Sequence, residues 1–131
     1  IDDALAGADV VFVALALTPE TTGIIDGRRL ALMERHAWLV NIGRGRHVVT
    51  DDLVVALRDG AIAGAGLDVT DPEPLPDGHP LWDLPNVLVT PHSMSTALGE
   101  NEVLVDLFCD NLRRYLAGEA LLNVFDRKQG Y

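Results

Sequence analysis

Ala37-Trp38-Leu39-Val40-Asn41-Ile42-Gly43-Arg44-Gly45 is a short apolar run that stops abruptly at a glycine and a charge. From Trp38 to Ile42 the apolar residues are nearly continuous rather than alternating, which suits a strand covered on both faces, as in a parallel sheet. Three more such runs flank it: Val10 to Leu17, Ile62 to Leu67 and Val87 to Val89. They recur roughly every 25 residues, the spacing of strand–helix–strand units. The expected fold class is therefore α/β, a doubly wound parallel sheet of about four strands.

The segments between the runs carry helix signals. Asp26 is placed to cap a helix through Arg28 to Met33, and Thr50 or Asp51 to cap one through Leu53 to Leu57, with Gly60 in the left-handed position that ends it. The third crossover differs. Pro72, Pro74, Pro76, Pro80 and Pro85 exclude a useful helix from residues 69 to 85 and leave a stiff loop, the kind of segment that often carries function. From Ala97 or Leu98 to Leu116 an amphipathic pattern returns, with Gly118 as its stop, and predicts one long C-terminal helix. The tail Leu121 to Phe125 is apolar enough to dock but too short to fold alone. Cys109 shares the helix's apolar stripe and reads as a buried, inert thiol.

Composition bounds the function. The chain has 131 residues, 48% of them apolar, enough for one compact domain with a real core. Twenty acidic against ten basic residues give a net charge of -10, which opposes nucleic acid and anionic membrane as partners. The longest apolar stretch, Val10 to Leu17, falls far short of the roughly 20 residues that span a bilayer. A lone cysteine predicts neither a disulfide nor a metal site, and a reducing, cytoplasmic setting.

Arg44, Glu73 and His92 each lie just past the carboxyl end of an apolar run, where open α/β sheets bind ligands. Together they are a carboxylate-binding fork, an acid and a ring that exchanges protons near neutrality. Taken singly, an Arg-Gly or a Pro-His is more often a turn with a solvated side chain. Order and register lift the set above that. His36, His47 and His79 lack such company and read as surface or loop histidines, while Trp38 and Trp82 read as packing residues, Trp82 with the option of closing over the proline loop.

Leu17-Thr18-Pro19-Glu20-Thr21, Asn41-Ile42-Gly43-Arg44-Gly45, Gly64-Ala65-Gly66-Leu67-Asp68-Val69, Glu73-Pro74, Pro80-Leu81-Trp82 and Thr90-Pro91-His92 together resemble the D-isomer-specific 2-hydroxyacid dehydrogenases. The resemblance implies a Rossmann-like fold and covers the distal half of the family's NAD(P)-binding domain, residues 1–96. Residues 97–131 match the C-terminal helix and tail that return to a substrate domain. No G-x-G-x-x-G turn follows a strand here, so NAD and NADP are equally open as the cofactor.

The resemblance implies roles. Arg44 binds the substrate carboxylate, His92 is the acid in reduction and the base in oxidation, and Glu73 favours the imidazolium and orients it. Asp68 matches the position that meets the nicotinamide carboxamide; Thr18, Ile42 and Gly43, with Arg44 and His92, line the cofactor groove. Met94 and Ser95 stand where the family places very small residues, so substrate size is left open. The implied activity is hydride transfer between NAD(P) and a small 2-hydroxy or 2-keto acid, such as glyoxylate or hydroxypyruvate, in a homodimer. The alternatives are an NAD-sensing, non-enzymatic protein resembling the C-terminal-binding corepressors, or a catalytically inactive 131-residue fragment. Half a doubly wound sheet also predicts an exposed apolar strand edge, to be covered by other polypeptide.

Overall fold

The computed structural model describes residues 1–94 and 97–128 and divides into two compact units, Ile1–Ser93 and Met94–Tyr131. The first unit is a Rossmann-like α/β sheet. Its four strands, β1 (Val10–Val13), β2 (Trp38–Asn41), β3 (Gly64–Leu67) and β4 (Val87–Val89), pair in parallel in the order β1-β2-β3-β4. Helices α1 (Asp2–Leu5), α2 (Gly27–Leu30) and α3 (Thr50–Arg58) complete it. The first and third strands are shorter than their apolar runs, because Ala14 to Leu17 and Ile62-Ala63 leave the ladder.

Register brings the carboxyl ends into one row. Val13 pairs with Asn41, Asn41 with Leu67, and Leu67 with Val89. Leu39 and Ala65, in the two central strands, have no exposed surface, and Ile25, Leu30, Leu53 and Leu57 join them in the core. Each such large aliphatic side chain contributes roughly 1.5–3 kcal/mol by leaving water. Gly64 is there for want of space: a Cβ would lie 2.6 Å from the Trp38 ring and from the Asn86 carbonyl. β1 is an edge, and its Phe12 stays 64% exposed, the open apolar edge that the strand count predicts.

The helix caps differ in part from expectation. Asp26 does cap α2, its side chain accepting from Arg29 N at 2.8 Å, and Asp52 adds a second tie by accepting from Gly27 N at 2.7 Å. α3 is not capped by Thr50 or Asp51. Its N-cap is Val49, and the Thr50 hydroxyl donates instead to the Asp71 carbonyl at 2.7 Å, tying the helix start to the loop after β3. Gly60 follows the helix with φ +63°, as the stop signal requires. Residues 69 to 85 hold no α-helix, only a 3-10 turn at Pro80–Trp82.

In the second unit α4 runs from Glu100 to Ala117 and ends at Gly118 with φ +70°. It begins later than the apolar pattern, since Gly99 ahead of it is also left-handed. None of its residues is buried, and Cys109 is half-exposed, so the expectation of a buried thiol is corrected. The tail docks back on the helix: Asn111 donates to the Leu122 carbonyl at 3.1 Å and accepts from its N–H at 2.7 Å. Among the described residues no helix is long and apolar enough to cross a membrane.

Candidate active site

Arg44 and His92 each stand three residues beyond the aligned row of strand ends, past Asn41 and Val89. One strand, β3, separates their strands, so they leave the sheet about 10 Å apart, room for a small molecule. Asp68 and Glu73 come from the chain leaving that middle strand.

His92 has φ +53°, a left-handed backbone that costs a non-glycine residue on the order of 1 kcal/mol and draws attention where it occurs. The buried Asp68 holds that conformation. Its Oδ1 accepts from the Thr90 hydroxyl at 2.6 Å and from Ser93 N at 2.9 Å, bracketing His92 on both sides. Asp68 therefore reaches across to the neighbouring strand's loop. Held this way, the imidazole Nδ1 meets Glu73 Oε1 at 2.7 Å, with both side chains 41% exposed. Glu73 sits between prolines, where both Asp71-Pro72 and Glu73-Pro74 are cis.

Asp68, Glu73 and His92 line a cavity of about 500 Å³, whose apolar wall includes Leu75, Val89 and Trp82. Trp82 is fixed by donating its indole N–H to the Pro76 carbonyl at 3.0 Å. Arg44 is not among the residues lining this cavity. Its side chain is exposed and folds back so that Nη1 donates to the Gly43 carbonyl at 2.7 Å. The structure thus brings together Asp68, Glu73 and His92, and leaves Arg44 at the neighbouring rim.

The remaining candidates lie at the carboxyl ends of β1 and β2. Thr18 N donates to Thr21 Oγ1 at 2.7 Å, and Thr21 Oγ1 to the Ala16 carbonyl at 2.8 Å, closing a compact turn. Hydrogen bonds from the Thr18 side chain and from its own backbone lower the pKa of Glu20. Ile42 is half-buried and Gly43 buried. Gly45 admits no side chain, because a Cβ would lie 1.9 Å from the Thr70 carbonyl oxygen. That contact packs the Arg44 turn directly against the loop leading to Glu73.

His47 corrects the sequence reading. It is a fully buried ring, not a surface histidine, and it accepts the Arg44 N–H at Nδ1, 3.0 Å away. Asn41 also escaped notice as a functional residue. Buried at the end of β2, it accepts from Gly43 N at 3.1 Å and donates to the Arg44 carbonyl at 3.0 Å. An asparagine closing an apolar run was the available signal. His36 and His79 behave as expected, the first pairing with Asp9 at 2.7 Å on the surface, the second accepting from Leu81 N at 3.3 Å to cap the 3-10 turn. Met94 is exposed; Ser95 lies outside the described residues.

Comparison with known proteins places this geometry. The family profile described as "D-isomer specific 2-hydroxyacid dehydrogenase, NAD binding domain" matches residues 1–93. Glyoxylate/hydroxypyruvate reductase A of Photorhabdus laumondii is 39% identical over 131 residues, the whole of this chain and 41% of the relative. Glyoxylate reductase of Pyrococcus horikoshii is 44% identical over 119 residues, 91% of this chain and 35% of the relative. A crystal structure of a D-isomer specific 2-hydroxyacid dehydrogenase from Xanthobacter autotrophicus Py2, in complex with NADPH and MES, superposes with a TM-score of 0.91 at 46% identity, covering 99% of this chain and 53% of that one. The NADPH-dependent glyoxylate/hydroxypyruvate reductase of Sinorhizobium meliloti, in complex with NADP and sulfate, gives 0.88 at 34% identity over 99% of this chain and 42% of that one. The chain spans about two fifths of the length of the curated relatives it matches.

Proposed function

This chain belongs to the D-isomer-specific 2-hydroxyacid dehydrogenase family, in its NAD-binding domain, and from that premise we propose that the whole protein transfers hydride between NAD or NADP and a small 2-hydroxy or 2-keto acid, such as glyoxylate or hydroxypyruvate. The observation that carries the reading is the 2.7 Å contact between His92 Nδ1 and Glu73 Oε1 at the mouth of a cavity outside the strand ends. A carboxylate on Nδ1 keeps a proton there, orients the ring and leaves Nε2 as the nitrogen that faces a substrate.

The residues present fit the nicotinamide end of the cofactor. Val89, Pro91 and Leu75 offer apolar walls to a flat ring, and Asp68 brings a carboxylate to the same cavity to meet a carboxamide. When bound, the nicotinamide supplies the hydride that reaches C2 of the keto acid. The chain's own residues handle the charge and the proton. His92 Nε2 gives its proton to the carbonyl oxygen as negative charge develops there, and takes it back in oxidation. Glu73 holds the ring in place throughout. Arg44 binds the substrate carboxylate: a bidentate, charge-assisted pair outcompetes the neutral Gly43 carbonyl on which the guanidinium rests, so the side chain swings to the substrate. Thr18, Ile42 and Gly43 border the cofactor groove from the ends of β1 and β2.

In this reading residues 1–96 form the distal half of the NAD(P)-binding domain, and residues 97–131 supply the helix and tail that return to a substrate domain. The rest of the domain covers the open β1 edge, the protein works as a cytoplasmic homodimer, and the 131-residue piece alone is inactive. The test is turnover of the whole protein with NADH and NADPH against glyoxylate, hydroxypyruvate and pyruvate. His92→Ala is expected to lower turnover by about 10²- to 10⁴-fold. Unchanged turnover would remove His92 from its role, and cofactor binding without any turnover would favour the sensing protein.

A further inference from the structure

His47 is a buried titratable ring that the proposed chemistry does not use. A buried polar side chain is retained only if its atoms are bonded, and an aliphatic residue would fill the space without that demand. Both ring nitrogens are engaged. Nδ1 accepts the Arg44 N–H at 3.0 Å, which leaves the proton on Nε2, 3.4 Å from the Ala16 carbonyl in the loop after β1. The imidazole is thus neutral and in one tautomer, assigned from its partners. Protonating Nδ1 would set two N–H groups against each other.

The ring lies beneath the turn it supports. A Cβ on Gly43 would come within 3.0 Å of His47 Cε1 and Nδ1, so that glycine makes room for the imidazole. Arg44 opens the 3-10 turn Gly45–His47, where a first N–H has no partner inside the turn. His47, three residues on, reaches back to it. That is the side-chain half of a capping box, with a neutral ring in place of the usual Glu or Gln. In return His47 N donates to the Arg44 carbonyl at 3.1 Å, while the His47 carbonyl accepts from Ile25 N at 2.9 Å and is itself anchored. With the two Asn41 bonds, the N–H groups of Gly43 and Arg44 and the Arg44 C=O are held without the Arg44 side chain, which itself rests on the Gly43 C=O. Only the Arg44 side chain is left free to swing.

We propose that His47 is a positioning residue: its neutral ring latches the Arg44 backbone to the loop after β1 and so aims the guanidinium that takes the substrate carboxylate. The inference rests on the function proposed for Arg44. It is tested in the whole protein with His47→Asn, whose Oδ1 can stand where Nδ1 stands, His47→Gln, whose amide can reach Ala16 but not Arg44, and His47→Leu, which keeps neither bond. Two quantities are followed: amide hydrogen exchange at Arg44, and KM for glyoxylate beside kcat and NADPH affinity.

For Gln and Leu the expected result is faster exchange at the Arg44 amide and a KM raised about 10-fold, the worth of one positioned hydrogen bond. NADPH affinity and kcat change by less than about 3-fold, which is under 1 kcal/mol. Asn restores both exchange and KM. The proposal is overturned if exchange at Arg44 is equally slow in all variants, if KM stays put while exchange rises, or if Asn behaves like Leu. If Leu does not fold, the Gln and Asn pair decides alone. Arg44→Ala separates the two readings: a KM that this change leaves untouched removes Arg44 from substrate binding, and the exchange data then decide whether His47 is a latch at all.

Discussion

The turn after β2 and the turn after β4 are built in opposite ways. At Arg44 the backbone is immobilised by Asn41 and His47 from below, while the side chain leans on a neighbouring carbonyl in solvent. At His92 the backbone takes a left-handed conformation and the side chain itself is engaged, by Glu73. Under the proposed chemistry, a side chain that must find a mobile anion benefits from a fixed root and a free tip, and a ring that must deliver one proton to one place benefits from being held at its far nitrogen.

This contrast can be broken at several points. Beyond the loss of turnover expected for His92→Ala, the largest effect belongs to Gly45→Ala at the root of the Arg44 turn. The new methyl meets the Thr70 carbonyl carbon and oxygen, at 2.1 and 1.9 Å, and neither backbone atom can yield without moving the loop that carries Glu73. A loss of about 3 kcal/mol or more is expected in denaturant unfolding. A loss under 1 kcal/mol would mean that the close packing of the two loops is not needed. At the other turn, Glu73→Gln keeps the shape and removes the charge from the bond that holds His92 Nδ1. Turnover should fall about 10-fold, corresponding to a charged hydrogen bond reduced to a neutral one, with unfolding little changed. Equal turnover would leave Glu73 as a surface contact.

Thr90→Val then tests the bracket around His92, since it removes the 2.6 Å bond to Asp68 at constant shape. It should cost about 1–2 kcal/mol of stability and lower kcat more than it raises KM, the reverse of the pattern expected at His47. The smallest effect lies outside both turns. Hydrogen bonds from Arg28 and Arg29 pull the Asp2 carboxyl from its ordinary 3.8 down to about 2. A depressed pKa contributes stability that is fully present above the ordinary value and lost as pH falls toward 2, so Asp2→Asn should lower stability slightly at neutral pH, leave it unchanged near pH 2 and so remove that part of the acid dependence, with turnover nearly unchanged. A wild-type melting temperature with no such component between pH 4 and 2, on the scale set by these values, would discard the Asp2 contribution.

Much of the sheet was legible because burial on both faces leaves a chemical record. β4 matches its apolar run residue for residue, and β2 differs by the single residue Ile42. Asp26 and Gly60 were readable because a cap and a left-handed stop each demand a particular residue type. Thr50 was misread. Its hydroxyl had two possible partners, the helix start and the Asp71 carbonyl, and the second belongs to a loop 21 residues away. His47 was missed for the same reason in stronger form: its Nε2 meets the Ala16 carbonyl, 31 residues away, only once β1 and β2 lie side by side.

By itself the chain's order of residues settled that there would be parallel strands, where three of the helices would start or stop, and which chemically able residues would follow the strand ends. Those are local matters, governed by side-chain polarity, proline and glycine within a few residues. Folding decided the rest. Only the shared register of β2, β3 and β4 sets Asp68, Glu73 and His92 around one cavity, and only contact across loops turns a histidine into a buried, neutral support for an arginine. A hydrogen bond or a collision depends on distance in space, and distance in space is what a linear chain does not carry.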